Sequence, residues 1–443
     1  MHNIEKKEER FSSVLNDIDT LHRKGRVVEA YGTSIRVCGI NAKIGQQCLI
    51  TDKYNTYHLF ADVVGISGDS AILLPLGNLH GIAQDSIVTV INEQSSIKFS
   101  EDLVGRILDG MGQPLDQEPL PLKMNEVPLY RDAPSPLKRS FIDKPLNTGV
   151  RSIDGLLTLG IGQRTGIFAP AGGGKSTLLS MIARHAKADV IVIALIGERG
   201  REVGEFIEHT LTKEGLKRSV LVVSTSDRPA MERLRAAYTA TSIAEGFRSS
   251  GKNVLLLMDS VTRFARALRE IGLSVGEPPV RRGFPSSVFA ELPKLFERSG
   301  NDSKGTMTAF YTVLVEDEES NDPIAEEVRS LLDGHIVLTR KLAQENHYPA
   351  IDILKSTSRL LNQITTESHR SNIAKLRSLL SKYSEIEFLV QVGEYEKGSD
   401  TQADEAIKNI TKILNYLKQD CDSYCDIDDS LDQLNRILED NNN

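Results

Sequence analysis

The run Ala169-Pro170-Ala171-Gly172-Gly173-Gly174-Lys175-Ser176-Thr177 carries the plainest chemistry in the sequence. Consecutive glycines let backbone N–H groups converge on phosphate oxygens without Cβ clashes, and a helix start adds partial positive charge. An apolar, strand-like run at 164–169 leads into the loop and a helical pattern at 176–188 leads out, which is the context such a loop needs. Lys175 then reaches the β- and γ-phosphates of a nucleotide, and the Ser176 hydroxyl ligates Mg2+. Ala171, Gly172, Gly173, Gly174 and Thr177 complete the cradle.

Three further stretches supply what phosphoryl chemistry requires. The apolar run 254–259 ends in Asp259, a carboxylate placed to hold Mg2+ through water. Glu198 follows the apolar run 190–196 and emerges at the carboxyl edge of the sheet, where open α/β folds place ligands. It is the candidate general base that polarises a water in line with the γ-phosphate. Glu202 and Glu205, on the helix that follows, read as solvent-facing or salt-bridged. Tyr348, before Pro349, can offer its ring as a stacking platform for adenine, against the plainer reading of a core or surface tyrosine. Arg359 closes a serine-rich stretch and has an equally plain alternative as a surface salt bridge.

The elements that position these groups fall into four segments. Residues 1–22 are polar with one apolar stripe (Phe11, Val14, Leu15, Ile18, Leu21), the spacing of a short helix that packs on something. Six short β-rich stretches at 27–31, 34–37, 47–50, 59–66, 70–74 and 87–91 predict a small barrel or sandwich over 23–95. A connector rich in glycine and proline opens the segment 96–362. Within that segment apolar runs at 164–169, 190–196, 219–224, 254–259, 306–315 and 335–338 alternate with helical patterns, predicting a mostly parallel α/β sheet. From 363 to 443 the helical period returns.

The 61 acidic residues exceed the 53 basic ones, and the excess lies mostly in the last 24 residues, which hold eight acids and one base. The body is therefore almost neutral, which argues against a strongly basic nucleic-acid binder. The tail stripe Ile427, Leu431, Leu434, Leu438 could dock on the ring or a partner, and reads most simply as a solvated amphipathic helix. Four cysteines (Cys38, Cys48, Cys421, Cys425) match neither a disulfide scaffold nor a zinc spacing well and fit a reduced cytosolic state. The polar start carries no leader-like apolar region, and the longest apolar run is too short to span a bilayer. A cytoplasmic location is expected.

Taken together, these stretches resemble the rotary ATP synthase superfamily, and within it the ATPases of type III secretion systems. The resemblance rests on the phosphate loop, on Gly197-Glu198-Arg199-Gly200-Arg201-Glu202-Val203, on Met258-Asp259-Ser260-Val261-Thr262-Arg263-Phe264-Ala265-Arg266-Ala267, and on Pro349-Ala350-Ile351-Asp352 with Ser356-Thr357-Ser358-Arg359. Gly283 to Phe289 and Ala309 to Val315 are similar to the secretion branch, and residues 225–232 favour its virulence side over flagellar export. It implies an N-terminal β-barrel, a RecA-like P-loop core and a helical C-terminal domain, assembled as a homohexamer with ATP at subunit interfaces. It further implies Glu198 as catalytic base, Arg199 and Arg263 near the γ-phosphate, Tyr348 on adenine, and Arg359 as an arginine finger given to the neighbouring subunit.

The implied partners are a coiled-coil central stalk, a negative regulator or stator, chaperone–effector complexes and an export gate at the inner membrane, with no nucleic acid. The proline-rich loop 276–285 is expected to line a central bore. Two rival classes are a hexameric nucleic-acid motor, for which only Arg281 and Arg282 stand out, and a non-enzymatic nucleotide-binding ring subunit. The acidic extension after about residue 419 does not look like a core element of the family.

Overall fold

The computed structural model describes residues 24–54, 56–92, 95–316 and 322–439. The striped segment 1–22 lies outside them. The chain forms two compact units, 1–95 and 96–443.

The first unit is a closed barrel of β1 (Gly25–Tyr31), β2 (Ser34–Cys38), β3 (Gln47–Thr51), β4 (His58–Ser67), β5 (Ser70–Pro75) and β6 (Ile87–Asn92). Alternation along the strands turns Val27, Ile35, Val37, Cys48, Ile50, Ala61, Val63, Leu73 and Val88 into a common core. Closure in the order β1-β2-β5-β4-β3-β6 leaves no unpaired sheet edge. Burial, helped by the charge of Asp62, pushes the Cys48 thiol up to about 12, so this cysteine behaves as a small apolar residue.

In the second unit, β7 (Ser96–Phe99) pairs with β9 (Asn125–Pro128) as a separate ribbon. The main sheet has eight strands: β8 (Ile107–Asp109), β10 (Arg164–Pro170), β11 (Val190–Ile196), β12 (Ser219–Ser224), β13 (Asn253–Asp259), β16 (Thr306–Val315), β17 (Gly334–Leu338) and β18 (Ile351–Ser358). Their order is β18-β17-β10-β16-β13-β11-β12-β8, all parallel except β18, which runs antiparallel to β17. All seven residues of β11 are buried, which requires cover on both faces and explains its unbroken apolar sequence. A small hairpin, β14 (Pro279–Arg281) with β15 (Phe284–Pro285), stands in the 276–285 loop.

The connector is fastened to the sheet's helices through Arg298, which is held in a buried ion pair. Arg298, 1% exposed, donates to both carboxylate oxygens of Glu245 at 2.9 and 2.7 Å, and also to the Leu129 carbonyl and the Ser242 hydroxyl. Such a pair is tolerated inside a protein only with this degree of hydrogen bonding.

Helices Glu367–Gln391 and Thr401–Leu417 pack as a pair, capped by Thr366 and Asp400. The third helix, Ile427–Glu439, overturns the reading of a solvated tail. It packs on both of these helices and on helix Arg151–Leu156, and its Leu434 and Leu438 are buried in the main core. Asp428, Asp429 and Asp432 are exposed on its outer side, so net charge hid an apolar face that has a partner. The segment before it is equally anchored. Asp422 pairs with Arg184, and Asp426 accepts from Lys187 at 2.6 Å.

Candidate nucleotide site

β10 delivers the glycine loop at the carboxyl edge of the sheet, centrally, between β16 and β17. Gly172 and Gly174 have φ of +76° and +80°, the left-handed region that glycine tolerates. At Gly173 an added Cβ would come within 2.9 Å of the Pro170 ring, so this position too needs glycine. Gly174 then starts helix Lys175–His185 without any side-chain cap, leaving the first N–H groups to face the loop's mouth. Ser176 and Ala171 are exposed there, and Thr177 is half-buried.

Lys175 Nζ lies 2.5 Å from Asp259 Oδ1 and 3.4 Å from Glu198 Oε1. Burial opposes its charge. The two carboxylates outweigh that effect, Asp259 more strongly, and hold the ammonium above its ordinary range. Asp259 Oδ1 also accepts the Thr312 hydroxyl at 2.7 Å. Glu198 is 7% exposed, and Arg263 Nε approaches its Oε1 at 3.6 Å, an ion pair too long for a hydrogen bond. That buried Nε has no hydrogen-bond partner among the described residues. Gly197, φ +69°, leaves room for Arg263, whose Cδ would stand 2.7 Å from a Cβ at that position. The peptide between Asp259 and Ser260 is cis, and Ser260 caps the helix Val261–Ser274 that carries Arg263.

Tyr348 joins the loop from the other side. Its ring stands over Gly174, close enough that a Cβ there would meet Cε1 at 3.2 Å, and its peptide to Pro349 is cis. The structure thus brings together the loop, Lys175, Glu198, Asp259, Arg263 and Tyr348. Arg199 is placed elsewhere: it is exposed and pairs with Glu202 at 3.3 Å, while Arg201 pairs with Glu205 at 3.6 Å.

Arg359 lies at the opposite end of the sheet. It follows β18, whose Ser358 faces Gly334 at the start of β17, itself level with Thr165 near the start of β10. The loop begins beyond the far end of β10, a strand's length away, about 20 Å at 3.3 Å per residue. The guanidinium is exposed and, among the described residues, hydrogen-bonds the Arg329 and Ser330 carbonyls at 3.2 and 3.5 Å.

Sequence reasoning missed Thr312. The available signal was its register: Tyr311 aligns with Met258, so Thr312 falls beside Asp259. It also missed the edge strands β8 and β18, and the contribution of Gln419, whose backbone N–H donates to the Tyr348 carbonyl at 2.8 Å.

Comparison with known proteins places this geometry. Residues 149–358 match the ATP synthase alpha/beta family, nucleotide-binding domain, and residues 365–436 match the T3SS EscN ATPase C-terminal domain. A type 3 secretion system ATPase of Xanthomonas euvesicatoria is 51% identical, covering 94% of this chain and 95% of its own length. A flagellum-specific ATP synthase of Bacillus subtilis is 48% identical, covering 95% of this chain and 96% of its own. The assembled ATPase EscN of enteropathogenic E. coli, solved alone and with its central stalk EscO, superposes with TM-scores of 0.89 and 0.86 at 48% and 47% identity, covering 94% of this chain and 100% of each solved chain. The chain belongs to the type III secretion ATPase family, built on the ATP synthase alpha/beta nucleotide-binding domain. The match over 365–436 takes in most of the acidic extension, which is therefore part of the family's C-terminal domain.

Proposed function

We propose that this chain hydrolyses ATP to power type III protein secretion, releasing and unfolding chaperone-bound effectors for export. The observation that carries the reading is the meeting of Lys175, Asp259 and Glu198 beside an open glycine loop. Lys175 and the loop's N–H groups hold the β- and γ-phosphates. Glu198 orients the attacking water and takes its proton as the water oxygen bonds to the γ-phosphorus. The bond from that phosphorus to the β–γ bridging oxygen breaks, giving ADP and phosphate. Arg263, with an unspent buried N–H beside Glu198, stabilises the charge that develops. Arg199 would reach the same phosphate only by leaving Glu202.

The residues fit Mg2+. Among the described residues there is no ready-made cage of three or more His, Cys, Asp or Glu. A carboxylate and a hydroxyl at a phosphate site suit a cation that keeps its waters and takes phosphate oxygens. Ser176 and Asp259 would hold it, and when bound it supplies charge neutralisation at the β- and γ-phosphates. Tyr348 stacks on adenine.

Arg359 cannot serve its own loop from the far end of β18, which supports a homohexamer in which it acts as a finger in the neighbour's pocket. The resemblance to EscN solved with a stalk supports a coiled-coil stalk partner gripped by the 276–285 hairpin, where Val280 is 65% exposed. Phe388 and Val392, 70% and 49% exposed near the end of helix Glu367–Gln391, offer an apolar surface for chaperone–effector complexes. A regulator or stator and the export gate complete the expected partners, at the cytoplasmic face of the inner membrane. No helix among the described residues is long and apolar enough to cross a membrane.

The near-equal identity to a flagellum-specific relative favours flagellar export as the second reading. The deciding experiment measures ATPase rate against protein concentration with oligomer size in parallel, for wild type and Glu198→Gln. Turnover that rises with assembly and vanishes in the variant, with ATP binding retained, supports the reading. Unchanged turnover in the variant defeats it.

A further inference from the structure

We infer that Gln419 is a positioning residue for the nucleotide base, tying the C-terminal helices to Tyr348. The inference rests on the reading of Tyr348 as the adenine platform. Gln419 follows the end of helix Thr401–Leu417 and is 8% exposed. Its side chain is used at both ends. Oε1 accepts the Arg151 backbone N–H at 2.7 Å, and Nε2 donates to the Gly149 and Ser423 carbonyls, both at 2.8 Å.

These three bonds fix the backbone of residue 419 against the start of helix Arg151–Leu156. From there its N–H donates to the Tyr348 carbonyl at 2.8 Å, and the Tyr348 ring rests on Gly174. A continuous set of contacts therefore runs from the C-terminal helices through Gln419 and Tyr348 to the phosphate loop.

Gly149 is the fixed point of this arrangement. Its φ is +76°, and a Cβ there would come within 2.4 Å of His185 Cβ at the end of the loop's own helix. Its carbonyl receives Gln419 Nε2 and also the Cys425 N–H. Arg151 clamps the same turn, donating to the Tyr416, Asn415 and Lys418 carbonyls. The consequence is directional. A ligand that shifts the C-terminal helices moves Tyr348 and alters base affinity, while Lys175, Asp259 and Glu198, which Gln419 does not touch, keep their geometry.

The test compares Gln419→Ala and Gln419→Glu with wild type and Tyr348→Ala, reading KM and kcat for ATP and inhibition by inorganic tripolyphosphate, which has no base. Gln419→Ala keeps the backbone N–H to Tyr348 but loses the three buried side-chain bonds that hold residue 419 in place, which should raise KM for ATP about tenfold, with kcat within about twofold. The tripolyphosphate inhibition constant should not move. Gln419→Glu keeps the acceptor for Arg151 but loses the donors, so an intermediate shift is expected; it replaces Gln419→Ala if that variant does not fold. In a Tyr348→Ala background the Gln419 substitution should add nothing. Unchanged KM in the Gln419 variants, or equal weakening of ATP and tripolyphosphate, overturns the positioning role. If Tyr348→Ala itself leaves KM unchanged, the platform reading fails instead, so the two failures are told apart.

Discussion

Thr312 and Asp259 are joined by a 2.7 Å hydrogen bond between neighbouring parallel strands. The bond ends on the same oxygen that Lys175 holds at 2.5 Å, so Oδ1 is doubly fixed and the carboxylate plane is set. Removing the hydroxyl leaves the shape of the strand intact and loosens only the carboxylate. Thr312→Val should raise the Mg2+ concentration needed for half-maximal turnover about tenfold, the equivalent of one charged hydrogen bond. A magnesium titration of the ATPase rate checks this, and an unshifted midpoint counts against the positioning of Asp259 by Thr312.

The placement of Arg359 predicts complementation. Arg359→Ala rings should bind ATP normally and turn over roughly 10³-fold more slowly, the scale of a missing finger. Lys175→Ala protomers have a dead pocket but an intact Arg359. Mixing the two inactive variants should restore measurable hydrolysis if the finger acts between subunits. A mixture as inert as its components would mean that Arg359 serves no neighbour.

His347 lies beside Tyr348 and is buried. Burial, with a smaller push from Lys418, lowers its pKa from 6.5 to about 4. The folded chain therefore refuses a proton that the unfolded chain accepts. Stability from the neutral ring is present above pH 6.5 and is lost as pH falls from there towards 4. Thermal melts across that interval should show the loss, and His347→Gln should flatten it. A variant that melts with the same pH dependence as wild type would show that other groups are responsible.

Arg298 is the anchor between connector and sheet. Arg298→Ala strands Glu245 without its bidentate partner and should destabilise the second unit by about 3–5 kcal/mol. Arg298→Met with Glu245→Leu removes both charges and should recover most of that loss. Chemical denaturation reads both. A single variant of wild-type stability would rule out the pair as an anchor.

Leu434 tests the docked tail. It is fully buried in the main core, and Leu434→Ala should cost about 2–5 kcal/mol. A freely solvated helix would tolerate the change within a few tenths, and limited proteolysis after residue 419 would then be equally fast in both proteins.

Much of this arrangement was legible before any coordinates. The barrel showed as six short β-rich stretches between glycine and asparagine turns, and β11 is apolar throughout because it is covered on both faces. The glycine loop, Glu198 and Asp259 each end or follow such a strand, so their convergence follows from parallel topology. What escaped notice had a physical reason. β8 is three residues among turn signals. β18 carries Asp352, Lys355, Ser356 and Thr357 among its apolar residues, so no continuous apolar run marks it. The acidic tail hid its docking because a charge count weighs every residue equally, whereas Leu434 and Leu438 face inward. Gln419 acts through backbone groups distant in sequence, and no local pattern reports that.

The reversed direction of β18 places Tyr348 just ahead of one end and Arg359 just past the other. With Tyr348 as the base platform and Arg359 as a finger in trans, one edge strand would bridge this chain's base site and the next chain's phosphates. Neighbouring pockets in a closed ring would then share one edge strand of the sheet.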